Sequence, residues 1–268
     1  MSTPQPPQRS CFRRMMFIML PVILLLAVPA FGQQTFVTQF DAFTGYNFLN
    51  SAKLGLSEPG FGGQFGFRPK TWYSVGFDYT ISSGDMSLTP NLLPTSLQQP
   101  LTGIVDQFKT IGLLPASYAL AVPAHSRTET FAVGPQLAYR HFKHVTLFLR
   151  PVFAGAIHEA ATPTPPAELL AALGQLPPAN QAAILGAMPA ALKPLVSGSE
   201  KIDTTWFLGF GGGFDILFTK HFALRTQADY VYDHLFNDIL ASGRFTTRFS
   251  IGPAFNFGKN IAEVPAPK

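Results

Sequence analysis

His125 and Ser126 are adjacent, with Glu129 close behind, and His158 is followed by Glu159. A serine whose proton passes to a histidine, with a carboxylate holding the imidazole, can carry out acyl transfer. Both sets, however, fall where a long irregular segment meets a strand-like one, and polar residues are expected at such a junction without any chemistry. Gly211-Gly212-Gly213 sits inside an alternating segment, where small residues relieve crowding or allow a bend, so it is not read as a phosphate loop. His141 and His144 flank a short turn and read as exposed polar residues. One Cys supports neither a disulfide framework nor a Cys-based zinc site. No catalytic residue, cofactor or metal is predicted, and the chain is not read as an enzyme.

The charged residues suggest a different use. Asp41, Asp78, Asp203, Asp215, Asp229 and Asp233 lie on the polar face of alternating segments, as do Arg68, Arg140, Arg150, Arg225, Arg244 and Arg248. Lys is scarce there and sits at turns instead, at Lys70, Lys143, Lys220 and Lys259. A solvated face would use Lys and Glu freely. An enclosed one favours Arg, whose planar fork matches a carboxylate, and requires pairing, because an unpaired buried ion costs several kcal/mol. These twelve residues are predicted to form a structural ion network inside the molecule.

The elements that would carry them alternate at period two, the mark of a strand with two unlike faces. On one face of the last segment stand Phe245, Thr247, Phe249, Ile251, Phe255 and Phe257; Arg244, Thr246, Arg248, Ser250, Ala254 and Asn256 line the other. Eight such segments are read, roughly 35–47, 60–68, 72–82, 127–140, 145–158, 201–218, 222–233 and 243–258. Most match or exceed the roughly 9–11 residues of a tilted membrane strand. Connections alternate between short turns and longer loops, with two long ones at 84–125 and 159–200. Charged residues make up 13% of the chain, about half the share in an ordinary soluble domain. With 26 Phe and 23 Gly, that balance favours strands and tight turns.

The first 32 residues read as a signal peptide. Arg9, Arg13 and Arg14 precede the apolar run Met15–Val28, which is too short to span a bilayer, and small residues follow. Without this segment, 16 basic residues face 15 acidic ones. The basic character of the whole chain therefore owes much to the signal, and nucleic-acid binding is not expected. The expected organisation is a signal peptide (1–32), a barrel (33–258) and a short Pro-containing periplasmic tail (259–268).

Aromatic residues collect at both ends of the apolar faces: Phe36, Phe67, Tyr73, Tyr139, Phe218, Phe222 and Phe257 toward the short turns, and Tyr46, Phe61, Tyr79, Trp206, Tyr230 and Phe245 toward the long loops. Two such girdles suit a bilayer. With the signal segment, the eight alternating stretches and the Phe-rich last strand, the chain resembles the small outer-membrane barrels of the OmpA/OmpX type over about residues 34–258. That resemblance implies an all-β, eight-stranded antiparallel up-and-down transmembrane barrel in the bacterial outer membrane, with outer-membrane lipid as its surroundings. It carries no invariant motif, so it implies no catalytic residues. The chain departs from it in continuing past Phe257 with a short tail, and no cell-wall-anchoring periplasmic domain is expected after the barrel. The expected role is structural, or interaction with an extracellular or envelope protein through the loops, with the lumen closed. A narrow pore, a lipid A-modifying barrel enzyme and a soluble periplasmic ligand-binding barrel are the alternatives.

Both long loops are rich in Leu, Ala and Pro. Leu101, Ile104, Val105, Phe108, Ile111 and Leu114 recur at helical spacing, as do Leu169, Leu170, Leu173 and Leu176, then Ile184, Leu185, Met188 and Leu192. Pro166 can open one helix, and Pro177-Pro178 separates it from the next. Short amphipathic helices are expected. Their apolar faces either pack together over the barrel mouth or form a surface for lipid, a protein or a hydrophobic ligand.

Overall fold

The computed structural model describes residues 34–262. The expected signal peptide and most of the expected tail lie outside the described residues. Eight strands run in sequence order: β1 Thr38–Ser51, β2 Leu56–Lys70, β3 Tyr73–Leu88, β4 Val122–Tyr139, β5 Val145–Pro163, β6 Lys201–Leu217, β7 Phe222–Asp233 and β8 Arg244–Asn260. Each pairs antiparallel with its sequence neighbours, and β1 pairs with β8 to close the barrel. Closure leaves no unpaired strand edge, which a sheet in lipid requires. Short turns lie at one end, and the two long loops lie at the other.

Strand length follows from alternation, except where the pattern breaks. On β5, Arg150 opposes Gly211 and Phe153 opposes Gly209, so one extra residue is accommodated at Pro151-Val152. This bulge reverses the phase of the strand. Thr146, Phe148 and Arg150 are buried before it; Phe153, Ile157, Glu159 and Ala161 are buried after it. Pro151 suits the position because a bulge disrupts the ladder that its missing N–H would otherwise weaken. A second irregularity, near Gly258, coincides with its left-handed φ of +91°, a conformation natural only to glycine. There β8 continues to Asn260, past the expected end at 258.

The apolar faces point outward. Trp206 is 66% exposed and Phe61 68%, and Phe210, Phe249, Ile251 and Phe255 form part of the apolar wall between the two ends. The soluble alternative required the opposite orientation and is overturned by this one. No described helix is long and apolar enough to cross a membrane; the crossing is made by strands.

The long loops are largely ordered as helices. Helix α1 (Thr95–Thr110) lies between β3 and β4; α2 (Ala167–Gly174), α3 (Pro178–Ala187) and α4 (Lys193–Ser197) lie between β5 and β6. Pro166 stands at the start of α2, and Pro178 occupies the first turn of α3, where a missing N–H costs nothing. Leu101, Val105 and Phe108 of α1 join Leu169, Leu173, Met188, Leu192 and Leu195 in one apolar cluster with Leu54, Met86, Phe236 and Leu240. This lid over the barrel mouth is one of the two expected arrangements.

Candidate functional site

Inside the barrel, glycine makes room for charge. A Cβ on Gly66 would stand 2.0 Å from the Asp41 carboxylate, one on Gly211 2.1 Å from Asp229 Oδ1, and one on Gly209 2.5 Å from the Phe153 ring. Gly211 and Gly209 therefore fit the reading that small residues relieve crowding on β6. Into this space project ten of the twelve predicted network residues, all buried: Asp41, Arg68, Asp78, Arg150, Asp215, Arg225, Asp229, Asp233, Arg244 and Arg248.

They form three tiers. In the tier toward the short turns, Arg225 donates to Asp215 through Nε at 2.7 Å and to Asp41 through Nη2 at 2.7 Å, while Arg68 meets Asp41 at 3.2 Å. In the middle tier, Asp78 and Asp229 each face both Arg150 and Arg248. Asp229 Oδ2 alone accepts from Arg150 at 3.0 Å, Arg248 Nη2 at 2.7 Å and the Gln227 amide at 2.6 Å. In the tier toward the loops, Arg244 bridges Asp233 at 2.9 Å and Glu159. Guanidinium faces also rest on rings: Arg150 lies 4.0 Å from the Phe153 centroid and Arg225 5.0 Å from that of Phe148, contacts that strengthen when water is excluded.

Two predicted members stand apart. Asp203 is only partly buried and accepts the backbone N–H of Phe236, whose φ of 53° is unusual for a non-glycine residue. It anchors the β7–β8 loop, not the lumen. Arg140 donates to Thr71 O at 2.9 Å, Thr146 Oγ1 at 3.0 Å and Gln34 Oε1 at 3.2 Å at the short-turn end. Burial, and then the Arg68 charge beside it, lower its guanidinium to about 9, so it remains a cation at neutral pH.

Two carboxylates were missed as network members. Glu58 is fully buried and accepts from Ser82 at 3.0 Å and from Ser126; it precedes the expected start of β2. Glu159 turns inward because of the β5 bulge, whose only sequence signal is Pro151. The acyl-transfer candidates separate for the same reason of phase. Ser126 and Glu159 face the lumen, whereas His125, Glu129 and His158 lie on the outer wall.

The loop residues expected as a contact surface are mostly inside the lid. Leu101, Phe108, Leu169, Leu173 and Met188 are buried, and Ile104 and Ile184 pack partly buried against them. Of the same apolar sets, Ile111, Leu170 and Leu185 are exposed.

A closed strand cylinder with an apolar outer wall, aromatic residues toward both ends and a charged interior defines a small integral outer-membrane β-barrel. No protein-family model matches the chain, and no curated protein matches it in sequence. Among solved structures, it is similar to the attachment invasion locus protein Ail of Yersinia pestis, crystallised with the heparin analogue sucrose octasulfate. Identity is 12%, with 81% of this chain and 96% of that one covered and a TM-score of 0.41. Neisserial surface protein A gives 13%, 81%, 96% and 0.42 for the same measures. The outer membrane protein OprG of Pseudomonas aeruginosa gives 11%, 85%, 100% and 0.40. At these scores the assignment rests on the barrel's own surface.

Proposed function

We propose that this protein is a sealed outer-membrane barrel that acts through its outer surface rather than by conduction. The observation that carries this reading is double closure. The middle tier ties β3, β5, β7 and β8 together across the lumen, and the apolar lid covers the mouth. Moving an ion past the middle tier would require parting buried Asp–Arg pairs, each costly to break. What remains for interaction is the outer face of the loops, where Leu170 and Leu185 border a groove of about 520 Å³ with Gln181 and Lys193. An exposed apolar groove of this kind suits a protein partner. Single-channel recording of the purified protein in planar bilayers tests the seal. Silence at ordinary holding potentials supports it; a large, stable conductance establishes the narrow-pore alternative in its place.

A further inference from the structure

The outer wall carries a constellation that the lumen does not use. Asp85 on β3 and His125 on β4 are directly opposite in register, and both belong to the outward-pointing phase. His125 Nδ1 lies 3.0 Å from Asp85 Oδ1. On its other side, His125 Nε2 lies 3.0 Å from Ser83 Oγ. Carboxylate, imidazole and hydroxyl thus form an unbroken chain through both ring nitrogens, the arrangement that activates a serine nucleophile. With Nδ1–H donated to Asp85, Nε2 is left as an acceptor for the Ser83 proton. The Ser83 hydroxyl has a second acceptor in reach, Ser126 O at 3.0 Å; rotation about its C–O bond selects between them.

We infer that Ser83, His125 and Asp85 form an esterase site for acyl-ester lipids of the outer leaflet. Three features place the substrate. The site opens on a groove of about 420 Å³ that also contains Arg127, Glu129 and His158. Along β3 the outward residues run Phe77, Tyr79, Ile81, Ser83, Asp85, so the hydroxyl stands on the loop side of the outer aromatic girdle. The girdle marks the membrane interface, so the hydroxyl stands at its polar, headgroup side. Arg127, directly opposite Ser83 in register, is paired with Glu129 at 2.7 Å through one amino group, and its remaining N–H groups can donate to a headgroup oxygen.

The reaction balances with water as co-reactant. Ser83 Oγ attacks the ester carbonyl carbon as His125 Nε2 takes its proton. The C–O bond to the alcohol breaks, and that proton leaves with the lyso-lipid. Water then adds to the acyl-serine with His125 again accepting a proton, the Ser83 ester bond breaks, the proton returns to Ser83, and a fatty acid is released. Asp85 holds the imidazole and does not change protonation.

This inference rests on the membrane reading, and its test separates the two. Full-length mature protein is folded into detergent and checked by the mobility difference between boiled and unboiled samples. It is then treated with a fluorophosphonate probe and mapped by peptide mass spectrometry. In parallel, fatty-acid release is measured from phosphatidylglycerol vesicles and from lipopolysaccharide. The expected result is a label on Ser83 and release from at least one lipid, the pair of substrates showing which lipid supplies the ester. Ser83→Ala and His125→Ala should each lower release at least 100-fold while keeping the mobility difference, and Asp85→Asn should lower it at least tenfold. A heat-modifiable barrel with unlabelled Ser83 and no release from either lipid would overturn the site alone. Loss of the mobility difference in the unmutated chain would overturn the membrane reading, and the site with it.

Discussion

Arg150 Nη1 on β5 lies 3.0 Å from Asp229 Oδ2 on β7, across the intervening strand β6. The ladder joins only adjacent strands, so this contact braces the barrel in a way backbone pairing does not. Asp229 also receives Arg248 from β8. Removing it leaves two buried guanidiniums sharing Asp78. Asp229→Ala is therefore expected to lower unfolding stability by about 3–5 kcal/mol, read from the urea midpoint in lipid vesicles. A change below about 1 kcal/mol, the scale of an exposed pair, would show that water already reaches the tier.

The packing of Phe153 over Gly209 makes a prediction with a built-in control. A Cβ at position 209 would meet the ring at 2.5 Å, and overpacking of this kind costs about 1–3 kcal/mol. Gly209→Ala should destabilise by that amount in the native background. In a Phe153→Ala background the same change should be close to neutral, because the obstructing ring is gone. Equal costs in both backgrounds would place the strain in the β6 backbone.

The outer wall should tolerate charge according to depth. On β8, Ile251 lies midway between the girdle residues Phe245 and Phe257, whereas Ile202 stands at the outer end of β6. Arginine on a lipid face costs about 2–4 kcal/mol near the bilayer midplane and about 0–1 near the interface. Ile251→Arg is expected in the first range and Ile202→Arg in the second, by equilibrium unfolding from vesicles. The reverse order would invert the assigned depths.

The lid should come away without the barrel. Phe108 is 1% exposed, and Phe108→Asp would bury a carboxylate among leucines at a cost of several kcal/mol. New protease cleavage is expected within 89–121 or 164–200, with β1–β8 surviving as a heat-modifiable core. Global loss of that core would show that the lid and strands fold as one unit.

Strand number, loop ends and the inward charges were legible because alternation encodes which face each residue takes. Asp215, Arg225 and Arg248 could be placed from phase alone. Phase also explains the failures. A single-residue bulge at Pro151-Val152 turns Glu159 inward, and alternation read across it gives the wrong face. Glu58 precedes the glycine-rich part of β2, where apolar positions are too sparse to mark the strand's beginning. Arg140 and Asp203 have the expected phase but lie at the two ends, where backbone groups and polar side chains take them up. The Ser83–His125–Asp85 set was hidden for another reason: it joins two strands through their register, and register cannot be read from one sequence.

Trp72 and Trp206 are the only tryptophans in the chain, and they stand at opposite ends of the barrel. In a Trp72→Phe variant, fluorescence from Trp206 reports directly on whether the apolar wall faces lipid. Reconstitution into vesicles of lipids brominated at different acyl-chain depths is the measurement to make. Strong quenching is expected, greater from bromines near the carbonyl end than from those near the chain terminus. Emission unaffected by bromine at any depth would mean that Trp206 does not meet lipid, and would contradict the transmembrane barrel.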